Sequence, residues 1–219
     1  MLKLLYAPTT AGVKALLALE ELQVPYSSLP INVFKKVQLT DTYKSIIPTA
    51  KIPSLIDDGK IFFESGAILY HLATKYNKLL PQNNREEALS WFFWDVNELT
   101  PKFLQYYRAR VQNPDNKDMH DKIIANIKTL LAVLNENLVN KNYIAGEFSI
   151  ADITVYSWLD HFANKNDAIP NLIDDLPHIK KWISNMGNRE ATKKISKLSE
   201  EFDWEAVVSE EEIKEFITN

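Results

Sequence analysis

The sequence predicts two domains, a small mixed α/β domain followed by an all-helical one. Three observations carry this prediction. Short strand-like runs alternate with helical runs as far as Tyr76, and strand signals all but vanish from Glu86 onward. Between the two regimes lies Lys78–Arg85 (KLLPQNNR), a polar stretch holding a proline. The expected boundaries are residues 1–77 and 85–219, with a linker at about 78–84.

The elements follow in order. Leu2–Tyr6 (LKLLY) is a short apolar strand that runs into a Pro-Thr-Thr turn, and Ala11–Leu22, rich in Ala and Leu, is a helix buried over most of its circumference. Tyr26–Val33 reads as a second strand and Leu39–Ile46 as a short helix. Ser54–Ile56 and Lys60–Phe63 flank Asp57-Asp58-Gly59, a strong hairpin signal, and Ser65–Tyr76 closes the set as a helix. The order β-α-β-α-β-β-α makes a small mixed sheet with helices on its faces. In the second half, Glu86–Arg110 is helical with a kink expected at Pro101. Lys117–Val139 repeats apolar residues at helical spacing, and further helices are expected around Ile150–Phe162, Leu176–Met186 and Glu190–Leu198. The acidic tail after Glu200 holds Phe202 and Trp204 as anchors and a last helix near Glu210–Ile217.

Bulk properties narrow the function. A chain of 219 residues with 46% hydrophobic and 25% charged residues builds ordinary globular cores, and a net charge of −4 argues against a nucleic-acid or anionic-membrane surface. No apolar run approaches the roughly 18 residues of a membrane span. The N-terminus lacks the cationic start and cleavage site of a signal peptide, so a cytoplasmic location is expected. Cysteine is absent, which excludes a disulfide scaffold, a cysteine nucleophile and a thiolate metal site. Any thiol chemistry must use a thiol that is not the protein's own. His71, His120, His161 and His178 show no metal-ligand spacing, so no metal is expected.

Three motifs carry chemistry. In Lys51-Ile52-Pro53-Ser54-Leu55 a proline stands directly before an apolar strand. If its peptide bond is cis, the backbone of Ile52 is presented to an extended peptide; if trans, the proline simply starts a strand. In Glu64-Ser65-Gly66, Ser65 is a natural N-cap, Gly66 permits close approach, and the first turn's free N–H groups favour an anion. Glu64 beside that site suits a zwitterion, its carboxylate taking an ammonium while the helix takes a carboxylate; the plain alternative is a solvated Glu before an ordinary cap. In Tyr6-Ala7-Pro8-Thr9-Thr10-Ala11-Gly12, Thr9 or Thr10 stands where a helix N-terminus stabilises an anion such as a thiolate, or serves only as a cap.

Together these motifs resemble the cytosolic glutathione S-transferase family over nearly the whole chain. The resemblance implies a thioredoxin-like N-terminal domain and an all-α helical-bundle C-terminal domain, with glutathione as co-substrate. It implies that Ile52-Pro53 is cis and pairs with the cysteinyl part of glutathione, that Glu64-Ser65 holds its γ-glutamyl end, and that Gln38 and Lys51 sit near its glycine carboxylate. Thr9 holds the sulfur, with Thr10 and Tyr6 as competitors. Asn97, Pro101, Leu104, Tyr107 and Arg108 are the implied wall for the second substrate. Gly146–Asp152 looks like the family's folding motif, and its physics is legible without the family: Ser149 and Asp152 form a capping box.

The first turn and FESGAILYHLATKY are most similar to the bacterial nu-class and yeast-prion-like group, except that Ala11 stands where that group usually has Asn. The implied function is glutathione transfer to a small electrophile, or reduction of a disulfide, by a homodimer. The alternative is a non-catalytic interaction or regulatory module on the same fold, for which an intact γ-glutamyl site would have no use.

Overall fold

The computed structural model describes residues 1–164 and 168–218. The chain divides into two compact units, Met1–Tyr76 together with Glu190–Asn219, and Asn77–Arg189.

In the first unit, strands β1 (Leu2–Tyr6), β2 (Tyr26–Pro30), β3 (Ser54–Asp57) and β4 (Lys60–Phe63) form one sheet in the order β2-β1-β3-β4. β1 runs parallel to β2 and antiparallel to β3, and β3 pairs antiparallel with β4 across the turn at Asp58-Gly59. Both turn residues have positive φ, 49° and 77°, the backbone a two-residue hairpin demands. The parallel pair is joined by helix α1 (Thr10–Leu22), and the sheet continues into α2 (Asp41–Ile46) and α3 (Ser65–Tyr76). β2 is shorter than expected: after Pro30 the chain leaves the sheet, and Asn32 turns back to accept the N–H groups of Phe34 and Lys35 at 3.1 and 3.2 Å. α2 begins later than expected because Thr40 caps it, its hydroxyl accepting from Tyr43 N–H at 3.3 Å after a 3₁₀ turn over Val37–Leu39.

The second unit holds α4 (Arg85–Trp94), α5 (Thr100–Gln112), α6 (Lys117–Asn137), α7 (Ile150–Asn164) and α8 (Pro177–Gly187). Between α4 and α5, Asp95–Leu99 forms a π turn in which Thr100 N–H bonds the Asp95 carbonyl. The extra residue lies just before Pro101, which has no N–H to give to the helical ladder. The regular α-helical bonding expected across Glu86–Arg110 is thus interrupted by this π turn, just before Pro101.

The carboxylate of Asp95 is fully buried; it accepts from Thr154 at 2.6 Å and Thr100 at 3.0 Å, and Thr100 accepts from the Trp158 indole at 2.6 Å. Phe103 and Phe162 stack nearly parallel at 5.0 Å. The stretch read as a linker is tied into this unit: Leu80 is buried, Leu79 C=O accepts Ile150 N–H at 2.9 Å, and the Asn84 amide donates to Ala145 C=O at 3.0 Å.

The capping box is present as a buried hub. Asp152 accepts from Ser149 N–H (2.9 Å), Ser149 Oγ (3.2 Å), Ile144 N–H (2.9 Å) and Trp182 Nε1 (2.8 Å). Burial raises its pKa, those four bonds pull it back, and the carboxyl settles at about 6.

Helices α9 (Glu190–Glu200) and α10 (Glu210–Thr218) were expected to extend the helical domain. They pack in the first unit instead, α9 against α1 and α10 against α2. α10 is amphipathic and its Ile213, fully buried, joins Leu5, Ile31, Val37, Tyr43, Ile47 and Ile56 in one apolar cluster. A six-residue α2 covers too little of that sheet face by itself, and the tail supplies the rest.

Candidate functional site

Strand register decides what comes together. Leu5 of β1 lies opposite Ser54 of β3, and Ser54 lies opposite Phe63 of β4. The end of β1, the start of β3 and the end of β4 therefore share one end of the sheet. Their continuations are the turn holding Thr9 and Thr10, the pair Ile52-Pro53, and Glu64-Ser65. α1 and α3 both start there, so two helix N-termini with unpaired N–H groups face the same edge.

At the first turn Thr9 is the N-cap of α1, its Oγ1 accepting from Gly12 N–H at 3.3 Å. The cap uses a lone pair only, so the hydroxyl proton stays available for an anion, and cap and thiolate donor are compatible roles. Thr10 is the first helical residue, and both threonines are half-buried. Gly12 makes the turn possible: a Cβ there would stand 1.9 Å from the Ala7 carbonyl oxygen.

Tyr6 is placed differently. Its ring is buried edge-on against Phe202 at 6.1 Å, with Ser28 of β2 as a neighbour. Burial raises its pKa and Ser28 opposes this. Tyr6 thus packs within the first unit, while Thr9 and Thr10 stand in the turn at the strand end.

The Ile52-Pro53 bond is cis. Pro53 is buried, Ile52 half-buried and Lys51 exposed. The Lys51 carbonyl is held from two sides, by the hydroxyl of fully buried Tyr43 at 2.8 Å and that of Ser54 at 3.2 Å. Gln38 donates its amide to Val33 C=O at 3.3 Å, while its Oε1, like Thr49 Oγ1, is buried without a hydrogen-bond partner.

Ser65 is the first helical residue of α3 rather than its cap. The cap position belongs to Glu64, whose carbonyl accepts Ile68 N–H at 3.0 Å. Glu64 takes φ 68°, a left-handed conformation that costs a side-chain-bearing residue on the order of 1 kcal/mol. Glu64 is exposed and directly precedes the first turn of α3, so an acceptor suited to an ammonium adjoins in sequence the donors suited to a carboxylate.

In the second unit, Asn97, Pro101, Leu104 and Arg108 recur at helical spacing, and Tyr107 adjoins them. All are exposed except half-buried Leu104, and the Asn97 amide donates to Phe93 C=O at 2.9 Å. His71 belongs to α3, where it bonds Asp57 at 2.7 Å and stacks on Phe62 at 3.7 Å. Among the described residues no group of three or more His, Asp or Glu is placed to hold a metal, and no helix is long and apolar enough to cross a membrane.

A four-stranded mixed sheet with helices α1 and α3 and a cis-proline before its third strand defines a thioredoxin-like domain, followed in the chain by an all-helical unit. Residues 11–84 match the family model of the glutathione S-transferase N-terminal domain, and residues 99–190 that of the C-terminal domain. The disulfide-bond oxidoreductase YfcG of Escherichia coli K12 is 31% identical over 88% of this chain and 93% of its own. A glutathione transferase structure from Burkholderia graminis, with two glutathione molecules bound per subunit, is 33% identical with a TM-score of 0.81, covering 89% of this chain and 86% of that one. One from Pseudomonas putida, with one glutathione disulfide bound per subunit, is 28% identical with a TM-score of 0.84, covering 90% and 91%. The chain belongs to the glutathione S-transferase family.

Proposed function

We propose that this protein binds glutathione at the shared sheet end of its first unit, stabilises the thiolate, and delivers it to an electrophile or a disulfide. The observation that carries this is the strand register, which sets Thr9, Ile52-Pro53 and Glu64-Ser65 along one edge. Glu64 and the α3 N-terminus receive the γ-glutamyl ammonium and carboxylate. The Ile52 backbone pairs with the cysteinyl residue, and Gln38 and Lys51 flank the glycine carboxylate. Thr9 donates its hydroxyl proton to the sulfur at the N-terminus of α1, lowering a thiol pKa that is about 8.5 when free.

With an electrophile, the glutathione sulfur forms a bond to carbon and the leaving group departs with the bonding pair. With a disulfide, the thiolate attacks one sulfur, a mixed disulfide forms, and the other sulfur leaves as a thiolate. A second glutathione then releases the reduced product and yields glutathione disulfide. Neither path needs a protein cysteine. We place the protein with the nu-class and yeast-prion-like members, as a cytoplasmic homodimer using Asn97, Pro101, Leu104, Tyr107 and Arg108 against the second substrate. The oxidoreductase name of the Escherichia coli relative and the disulfide bound in the Pseudomonas putida structure favour the disulfide path.

Retention on immobilised glutathione tests the binding, with Glu64→Ala expected to elute early; a wild-type protein that flows through unretained overturns the proposal. Thr9→Ala should lower turnover more than Tyr6→Phe does, and the reverse order would assign the sulfur to Tyr6. Turnover with a chlorinated aromatic against a mixed glutathione disulfide separates the two reactions.

A further inference from the structure

Resting on that glutathione reading, we propose that residues 202–218 brace the glycyl side of the site, with Asn32 and Glu210 as the positioning residues that join the tail to it.

The segments expected to meet the glycyl and cysteinyl residues are the two that flank α2: the loop carrying Gln38 before it and Lys51-Ile52 after it. A helix of six residues does not hold its own shape. The tail grips both sides. Before α2, Asn32 is buried and uses its whole amide: Nδ2 donates to the carbonyls of Trp204 and Ala206, and Oδ1 accepts from Phe34 and Lys35 N–H. The next residue, Val33, holds the Gln38 amide through its carbonyl. At the start of α2, the Glu210 carboxylate accepts Thr42 N–H at 3.2 Å, from the tail onto the helix N-terminus.

Beneath α2, Ile213 packs in the same cluster as Tyr43 and Ile47, with Val208, Phe216, Ile217 and Ile52 around it. Tyr43 in turn pins the Lys51 carbonyl. Besides the packing of Phe202 on Tyr6, two routes run from the tail, one through Asn32 to Gln38 and one through Tyr43 to Lys51-Ile52. Neither passes through Thr9 or Glu64-Ser65, which stand on α1 and on the β4–α3 junction.

This asymmetry makes the brace testable by shortening the ligand rather than the protein. Asn32→Asp keeps the acceptor for Phe34 and Lys35 but sets a carboxylate against two carbonyls, cutting the tail link. Calorimetry should show its Kd for glutathione raised about tenfold, which is about 1.4 kcal/mol. Its Kd for γ-glutamylcysteine, which lacks the glycyl residue, should stay within about twofold. The thiolate absorbance of bound glutathione should titrate at the wild-type pH.

Glu210→Ala, at an exposed position, should move the same ratio in the same direction by a smaller factor, and Glu210→Gln, which keeps an acceptor, should restore it. If Asn32→Asp fails to fold, the Glu210 pair decides. An equal loss for both ligands, or a ratio unchanged in the variants while the wild-type protein binds glutathione, overturns the brace alone. A wild-type protein that binds neither ligand overturns the glutathione reading and the brace with it.

Discussion

Replacing Asp152 by Asn should destabilise the second unit by an amount that grows as the solution is acidified. The wild-type carboxylate serves three N–H groups and the Ser149 hydroxyl inside the core. Asn can keep one carbonyl facing Ile144 N–H and Trp182 Nε1, but its NH₂ then meets Ser149 N–H, donor against donor. One buried donor left unpaired costs about 1–3 kcal/mol, so about 2 kcal/mol is expected near neutrality.

The pH dependence has the opposite sign from the usual carboxylate. Burial raises the folded-state pKa from 3.8 to about 6, so between those values the folded chain holds a proton that the unfolded chain has lost. Stability from this group is therefore gained as pH falls from about 6 to about 4, and absent above. A carboxyl so displaced carries about 3 kcal/mol, which Asn cannot supply. The stability difference between wild type and Asp152→Asn should rise from about 2 kcal/mol at neutrality to about 5 kcal/mol near pH 4. Contributions from all other carboxylates cancel in that difference. Urea denaturation followed by tryptophan fluorescence measures it, since Trp91, Trp94, Trp158 and Trp182 all report on this unit. A difference that stays flat or shrinks on acidification would falsify the assignment of burial as the dominant influence on Asp152.

Gly12→Ala should cost about 1–3 kcal/mol, because its Cβ would overlap the Ala7 carbonyl at 1.9 Å. Displacing that turn also moves Thr9, so a lowered Tm should come with weaker retention on glutathione. Glu64→Gly and Glu64→Ala should both lose glutathione, yet the Gly variant should be the more stable by about 1 kcal/mol, since only glycine adopts φ 68° freely; equal Tm values would mean that the left-handed backbone carries no cost. Burial alone would raise the pKa of Asp57, but its bonds to Lys75 and His71 outweigh that and lower it. The stability this lends is present above the ordinary carboxylate pKa and lost as pH falls through the lowered one. Asp57→Asn should therefore flatten the acid limb of the stability curve below about pH 4, and an acid limb as steep as wild type refutes the pairing.

What was legible in the sequence is what local chemistry dictates. Asp58-Gly59 fixes a hairpin because both residues tolerate positive φ, and Ser149 with Asp152 announces a helix start whatever packs on it. The three motifs proposed for the site sit at strand–helix or strand–strand junctions, where local chemistry is easiest to read, and the pairing register carries all three junctions to one end. The destination of the tail was not legible. The spacing around Ile213 says that one face of α10 is buried, but an amphipathic helix does not encode which sheet face receives it. Asn32 reads as a turn residue, and only its partners, the carbonyls of Trp204 and Ala206, reveal the link across the sequence. Tyr6 was ambiguous because strand alternation gives its side of the sheet only once the neighbours, Ser28 and Phe202, are in place.

The first unit is built from both sides of the second in sequence, and this sets an order on biosynthesis. When Leu5, Ile31, Tyr43 and Ile47 have left the ribosome, Ile213 has not yet been translated. All of Asn77–Arg189 must be made in between, which takes about ten seconds at roughly 5–20 residues per second. Through that interval the apolar face under α2 stands open, a surface for a chaperone or for a wrong partner, and at its end the second unit has every residue it needs while the first still lacks its tail. The helical unit is thus free to fold first, and the thioredoxin-like unit is completed only when the tail arrives.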